Sequence, residues 1–199
     1  MARTRAADFA DKQRSILDHA AQVFAENGME KASMSQIAAL AQVSKALLYH
    51  YYPSKGALIF AIIMTHLMDL DRAIVAADRP DLPAEQRLRI LVGTVLETYK
   101  GADNRHKVQL NAKAALSQEQ KAQIIEFERR IVRRFSAVLE IINPDLNNKL
   151  RPLLVPVTMS LFGMMNWVYM WFKDGGSITR EDYADVATTL ILEGIKSVR

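Results

Sequence analysis

Cysteine is absent from the 199 residues. That one absence removes disulfide scaffolds, thiolate zinc fingers, iron–sulfur ligation and cysteine nucleophiles together. Glycine, with eight residues, and proline, with six, are scarce, a composition that suits packed helices better than loop-rich or fibrous structure. No glycine-rich phosphate loop, H-E-x-x-H pair or G-x-S-x-G elbow occurs, so familiar signatures of nucleotide, metal and acyl-transfer chemistry are missing. His19, His50, His66 and His106 are not spaced as a metal pair on one helix. The chain therefore reads as a non-enzyme, with no catalytic residue, metal or cofactor expected. The opening MARTRAADFADKQR lacks the apolar core of a secretory signal, which points to a cytoplasmic protein. Runs of alternating β-branched residues are lacking too, which leaves an all-α fold.

What is present is apolar and helical. Half the residues are hydrophobic, enough for one sizeable core or two small ones. Caps and apolar spacing predict about nine helices, near residues 10–27, 34–41, 45–51, 55–77, 84–101, 103–115 and 118–142, then from Pro152 to Gly175-Gly176, then 179–197. Charge is uneven, since residues 1–55 hold seven Lys/Arg against five Asp/Glu. Half of the net +4 thus sits on little more than a quarter of the chain, the direction expected for phosphate contact. The twenty uncharged residues 153–172 qualify by length as a membrane span. Against that, they include Pro156, Thr158, Ser160, Gly163 and Asn166, and their aromatics cluster at one end. A buried helix that also forms a dimer interface is the stronger reading, with no membrane partner. A membrane-associated protein using 153–172 is the rival.

The segment 33–58, SMSQIAALAQVSKALLYHYYPSKGAL, carries the most information. Ser33 with Gln36 three residues on makes a capping box, and Ile37, Ala38 and Ala41 follow at helical spacing. Ser44 is placed to cap a second short helix through Lys45, Leu48, Tyr49 and Tyr52. Pro53 stops it and Ser54 caps a longer helix with apolar positions at Leu58 and Ile62. Two short helices joined by a tight turn make a helix-turn-helix, here at about 33–52, whose second helix enters the DNA major groove.

The same residues carry a resemblance. IAALAQVSKALLYHYYPSKGAL, preceded by ILDHAAQVFAENGMEKASM with its Ala20-Ala21, Phe24, Gly28 and Ser33/Ser35 pair, resembles the N-terminal signature of the tetracycline-repressor (TetR) family. The match covers roughly residues 12–60, and Leu48-Tyr49-x-Tyr51-Tyr52-x-Ser54-Lys55 is its most specific part. The resemblance implies a three-helix DNA-binding domain at 8–55 and a helical ligand-binding and dimerisation domain at 56–199. It also implies a homodimer on palindromic double-stranded operator DNA, released by a small-molecule effector. The DNA-facing set would be Ser33, Ser35, Gln36, Ser44, Lys45, Ala46, Leu47, Tyr49, His50, Tyr51 and Lys55, with Tyr49 and Lys55 on phosphates. Lys45 is long, cationic and early in its helix, and suits a base edge or a phosphate equally. The chain departs from the family twice. Gln42 stands where the turn usually has glycine, so it must adopt a left-handed or near-bridge conformation. Ala46-Leu47 replaces the usual Gly/Ala then Thr/Ser, and Leu47 cannot hydrogen-bond a base.

The remaining candidates lie beyond residue 56. Tyr99, His106, Asn166 and Trp167 are polar or aromatic residues in apolar helices, and core packing competes with a ligand pocket for each. Arg129, Arg130, Arg133 and Arg134 form two pairs one helical turn apart, a solvated face or a site for an anion such as a coenzyme A phosphate. The phrase FGMMNWVYMWFKDGG is similar to the corresponding region of family members that answer to acyl-CoA or related effectors. An acyl-CoA or an aromatic acid is therefore the effector expected. Tyr183, Ala187, Leu190, Ile191 and Gly194 share one broad apolar face, which the resemblance assigns to pairing of the last two helices with a second copy. A small-molecule-binding helical protein with a purely structural N-terminal unit is the second rival.

Overall fold

The computed structural model describes residues 2–197. Ten α-helices occur among them: α1 (Ala2–Asn27), α2 (Met34–Leu40), α3 (Lys45–Tyr51), α4 (Lys55–Ala77), α5 (Ala84–Thr98), α6 (Asp103–Asn111), α7 (Gln118–Ile142), α8 (Leu154–Asn166), α9 (Val168–Trp171) and α10 (Arg180–Ile195). The all-α expectation holds. The one sheet among the described residues is a hairpin of two-residue strands, β1 (Asn147–Asn148) and β2 (Arg151–Pro152), paired antiparallel.

The chain forms two compact units, residues 1–68 with 101–125, and 69–100 with 126–199. The segment 8–55 lies within the first, and the expected second domain, 56–199, is divided between the two. Residues 198 and 199, at the end of that range, lie outside the described residues.

In the first unit α1 buries Ile16, Leu17, Ala20, Ala21, Val23 and Phe24, positions one turn apart that make a single stripe. Gly28 ends it at φ 78, its N–H donating to the Phe24 carbonyl at 3.0 Å, the left-handed C-terminal cap that glycine adopts without strain. Against α1 pack α2 and α6. Buried Leu58, Ile59, Ile62, Ile63 and Leu67 of α4 extend this core, each contributing about 1.5–3 kcal/mol of transfer free energy. Expected to run to residue 115, α6 stops at Asn111, whose amide donates back to the Lys107 carbonyl at 2.9 Å. A 3₁₀ turn at Lys113–Ala115 follows.

In the second unit α5 buries Leu88, Leu91, Val92, Val95 and Leu96, and α10 packs on both α5 and α8. Phe135 of α7 meets Phe162 of α8 edge to face at 5.0 Å. The stretch expected as one helix up to Gly175 breaks at Trp167, so α8 holds only 13 residues. At 1.5 Å per residue that is about 20 Å, short of a bilayer core of about 30 Å. No helix among the described residues is long and apolar enough to cross a membrane.

One buried pair makes folding sensitive to pH. His66 of α4 and His106 of α6 are each 1 % exposed, with ring centroids 5.7 Å apart. Burial first, then His106 and Arg105, lower the His66 pKa from 6.5 to about 3. The folded protein therefore binds fewer protons here than the unfolded chain. The stability from this group is complete above pH 6.5 and is lost as pH falls toward about 3, at a slope of up to about 1.4 kcal/mol per pH unit. Urea unfolding between pH 4 and 6 should show that slope, and His66→Leu should flatten it by one proton. An unchanged slope in the variant would place the titration elsewhere.

Candidate nucleic-acid interface

The first unit builds its outward face from caps. The Ser33 N–H donates to the Gln36 side chain at 2.8 Å, and the Gln36 N–H returns to Ser33 Oγ at 3.2 Å. Ser35 stands exposed on the first turn of α2. The turn 41–44 is closed by the Val43 N–H on the Ala38 carbonyl at 3.0 Å. Ser44 Oγ then accepts from the Leu47 N–H at 3.0 Å and starts α3. Leu48 is fully buried and pins that helix, with Tyr52 buried just past its end.

Burying Leu48 decides where the other side chains of α3 point. At about 100° per residue, Ala46 and His50 flank the direction opposite Leu48, and Leu47 and Tyr49 lie about 80° to either side of it. Lys45 and Tyr51 form the two edges. Exposure agrees: Lys45, Ala46, Tyr49 and His50 are exposed, Leu47 and Tyr51 half-buried. The Lys45 ammonium sits over the Tyr49 ring, 5.9 Å from its centroid, which keeps charge and hydroxyl together at one rim. Lys55 begins α4, and its ammonium donates to the Glu30 and Ala32 carbonyls, both at 3.0 Å. It ties the α1–α2 loop to α4 with two of its three N–H donors, a task the sequence does not advertise.

The other candidates separate. Tyr99 is buried in the second unit and its hydroxyl donates to Asn166 Oδ1 at 3.0 Å; burial first, then the charge of Glu128, raises its pKa well above the usual phenol value. Trp167 is 59 % exposed and stacks edge-on with Tyr169 instead of lining that interior. His106 belongs to the first unit. Of the arginines, Arg130 and Arg134 converge on Asp71, at 3.0 and 3.3 Å, and Arg133 pairs with Glu126 at 2.7 Å. Arg129 stands exposed. A charged residue that spacing did not single out is Arg180, nearly buried, held by both Asp174 oxygens at 2.8 Å and donating to the Leu96 carbonyl at 2.9 Å. It fixes the entry of α10 against α5.

Residues 16–62 match the model of the bacterial regulatory proteins of the tetR family, and residues 81–195 match the tetracyclin repressor-like C-terminal domain. The chain belongs to the TetR family. It is a helix-turn-helix transcriptional regulator, and regulators of this family bind operator DNA. A TetR-family regulator of Bordetella parapertussis 12822 superposes with a TM-score of 0.81 at 30 % identity, covering 94 % of this chain and 97 % of that one. The structure of AibR in complex with isovaleryl coenzyme A and operator DNA gives a TM-score of 0.76 at 26 % identity over 90 % and 97 %. In sequence, the transcriptional repressor KstR2 of Rhodococcus jostii strain RHA1 is 27 % identical over 94 % of this chain and 92 % of its own.

Two further features of this TetR-family chain bear on its assembly and its turn. The apolar face expected to pair with a second copy divides in two. Ala187 and Ile191 are buried within the second unit, and Tyr183 is half-buried with its hydroxyl donating to the Met164 carbonyl at 3.2 Å. Leu190, 61 % exposed, remains outward with Val186 and Gly194. The second feature is Gln42, which adopts φ 53, a positive value that no other non-glycine residue takes among the described residues. A side chain there costs about 1–2 kcal/mol, against about 0.5–1 kcal/mol of extra chain entropy that glycine loses on folding. Gln42→Gly should therefore raise the unfolding free energy by about 0.5–1 kcal/mol in urea titrations. A destabilised variant would mean that the Gln42 side chain makes contacts worth more than the strain.

Proposed function

We propose that the chain is a homodimeric repressor that grips a palindromic operator with two copies of α3 and lets go when a small effector enters the second unit. The observation that carries the reading is the outward face of α3, set by buried Leu48 and edged by Lys45 and Tyr49. Its test is operator binding by the purified protein, and failure there would favour a helical small-molecule binder with a structural N-terminal unit. Lys45→Ala and Lys55→Ala should each weaken binding and reduce the magnitude of the salt slope by about one. Lys55→Ala should also lower stability by about 0.5–1.5 kcal/mol, because two carbonyls lose their donor. Unchanged affinity in both variants would remove α3 and its flank as the reading head.

The dimer reading rests on apolar surface. Val155, Met159 and Trp167 of the α8 region and Val186 and Leu190 of α10 are all exposed, and a soluble monomer rarely leaves neighbouring helices so uncovered. A second copy placed there would make a four-helix bundle from two α8–α10 pairs. Leu190→Glu should give monomers or aggregates with much weaker operator binding, measured by light scattering and by anisotropy. A well-folded dimer of that variant would place the interface elsewhere.

The effector reading rests on the Tyr99–Asn166 hydrogen bond within the apolar second unit, one polar point where a carbonyl or acid group could dock. AibR, similar in fold, was crystallised with isovaleryl coenzyme A, and we carry an acyl-CoA to this chain on that ground. Arg129 stands exposed and could meet its phosphates directly, whereas the Asp71-bound pair Arg130 and Arg134 would do so only by exchanging carboxylate for phosphate. A panel of fatty-acyl and aryl-acyl CoA thioesters should raise the melting temperature and release operator DNA, with the free acids acting less strongly. If neither readout moves, the acyl-CoA proposal fails and the repressor reading stands.

A further inference from the structure

The centre of the α3 face is poor in hydrogen-bonding groups. Ala46 and His50 flank the direction opposite buried Leu48, with half-buried Leu47 to one side of them and exposed Tyr49 to the other. Arginine or lysine suits guanine and asparagine or glutamine suits adenine, yet none of these stands at that centre. Lys45 is displaced to the rim, over the Tyr49 ring. Ala46 adds one methyl to the helix surface, so the α3 backbone can come close to the floor of the groove. There the bases offer a single apolar group, the C5-methyl of thymine. A guanine, adenine or cytosine edge set against Ala46 or Leu47 would lose water and gain no partner.

Resting on the DNA-binding reading above, we propose that Ala46 and Leu47 are specificity-determining residues that select thymine in each operator half-site by packing on its C5-methyl group. His50 then supplies the hydrogen bond beside them, and Lys45, Tyr49 and Tyr51 hold the backbone on either side. The basic excess of residues 1–55 supplies attraction to phosphate without sequence information. Burial of one methyl group corresponds to about a fourfold change in dissociation constant, so two such contacts per half-site across a dimer make a readable preference.

The test uses the full-length protein and duplexes enriched by it from a random pool. Each thymine of the enriched site is replaced in turn by deoxyuridine, which keeps the base pair and removes only the methyl. One or two positions per half-site should lose about fourfold in affinity. At a position changed from thymine to cytosine, 5-methylcytosine should bind better than cytosine. Ala46→Ser and Leu47→Ser, checked for native helicity by circular dichroism, should each lose the thymine-over-uridine ratio at one position while keeping their salt slope. Uridine duplexes that bind like the parent, or variants that keep the full ratio, would overturn the inference and leave the DNA-binding reading standing. A pool that yields no enriched duplex would overturn both.

Discussion

Helix α4 buries Leu58, Ile59, Ile62, Ile63 and Leu67 in one compact unit and Leu70 and Ile74 in the other. One unbroken helix of 23 residues thus carries side chains of two cores. No proline interrupts Lys55–Ala77, and its one glycine, Gly56, lies in the first turn, so the common causes of a helix kink are missing from its interior. Gly56 has its own reason to be there. A Cβ at that position would come within 3.1 Å of the Ala115 carbonyl, so a side chain there would require the 3₁₀ turn after α6 to shift by a few tenths of an ångström. The same 23-residue helix is therefore a constraint on both cores at once.

Local chemistry was legible in the sequence. The capping box of Ser33 and Gln36 and the Ser44 cap are each settled by residues three apart, and both form; Thr179 and Asp182, also three apart, make a second capping box at the start of α10. Gln42 was legible for a different reason, because the turn geometry demands a left-handed residue whatever side chain occupies it. What escaped was decided by distant partners. Trp167 ends α8 with no proline or glycine to announce it, and Arg180 looks like any first-turn arginine until Asp174 and the Leu96 carbonyl close around it. The apolar stripe of α10 was legible as a stripe, yet periodicity alone does not tell which half faces α5 and α8 and which half faces outward.

The arginine run of α7 shows how tertiary structure can change the meaning of a charge pattern. In sequence, four arginines in six residues read as an open cationic face. In the fold, Asp71 takes two of them and Glu126 a third, so most of the positive charge is already answered. The exposed Arg133–Glu126 pair contributes little to stability, and a phosphate that displaced Asp71 would meet guanidiniums already gathered in one place. Charge is answered differently around α3, where Lys45 meets an aromatic ring and not a carboxylate.

The central claim is that two copies of α3 read successive major grooves from one face of the duplex. Hydroxyl-radical footprinting of an enriched duplex by the full-length protein tests this most directly. The account predicts two protected patches on one face, centred about 34–36 Å apart, one helical turn of DNA, both lost in parallel as protein is diluted. A single protected patch at saturating protein, or protection spread evenly along the duplex, would contradict it.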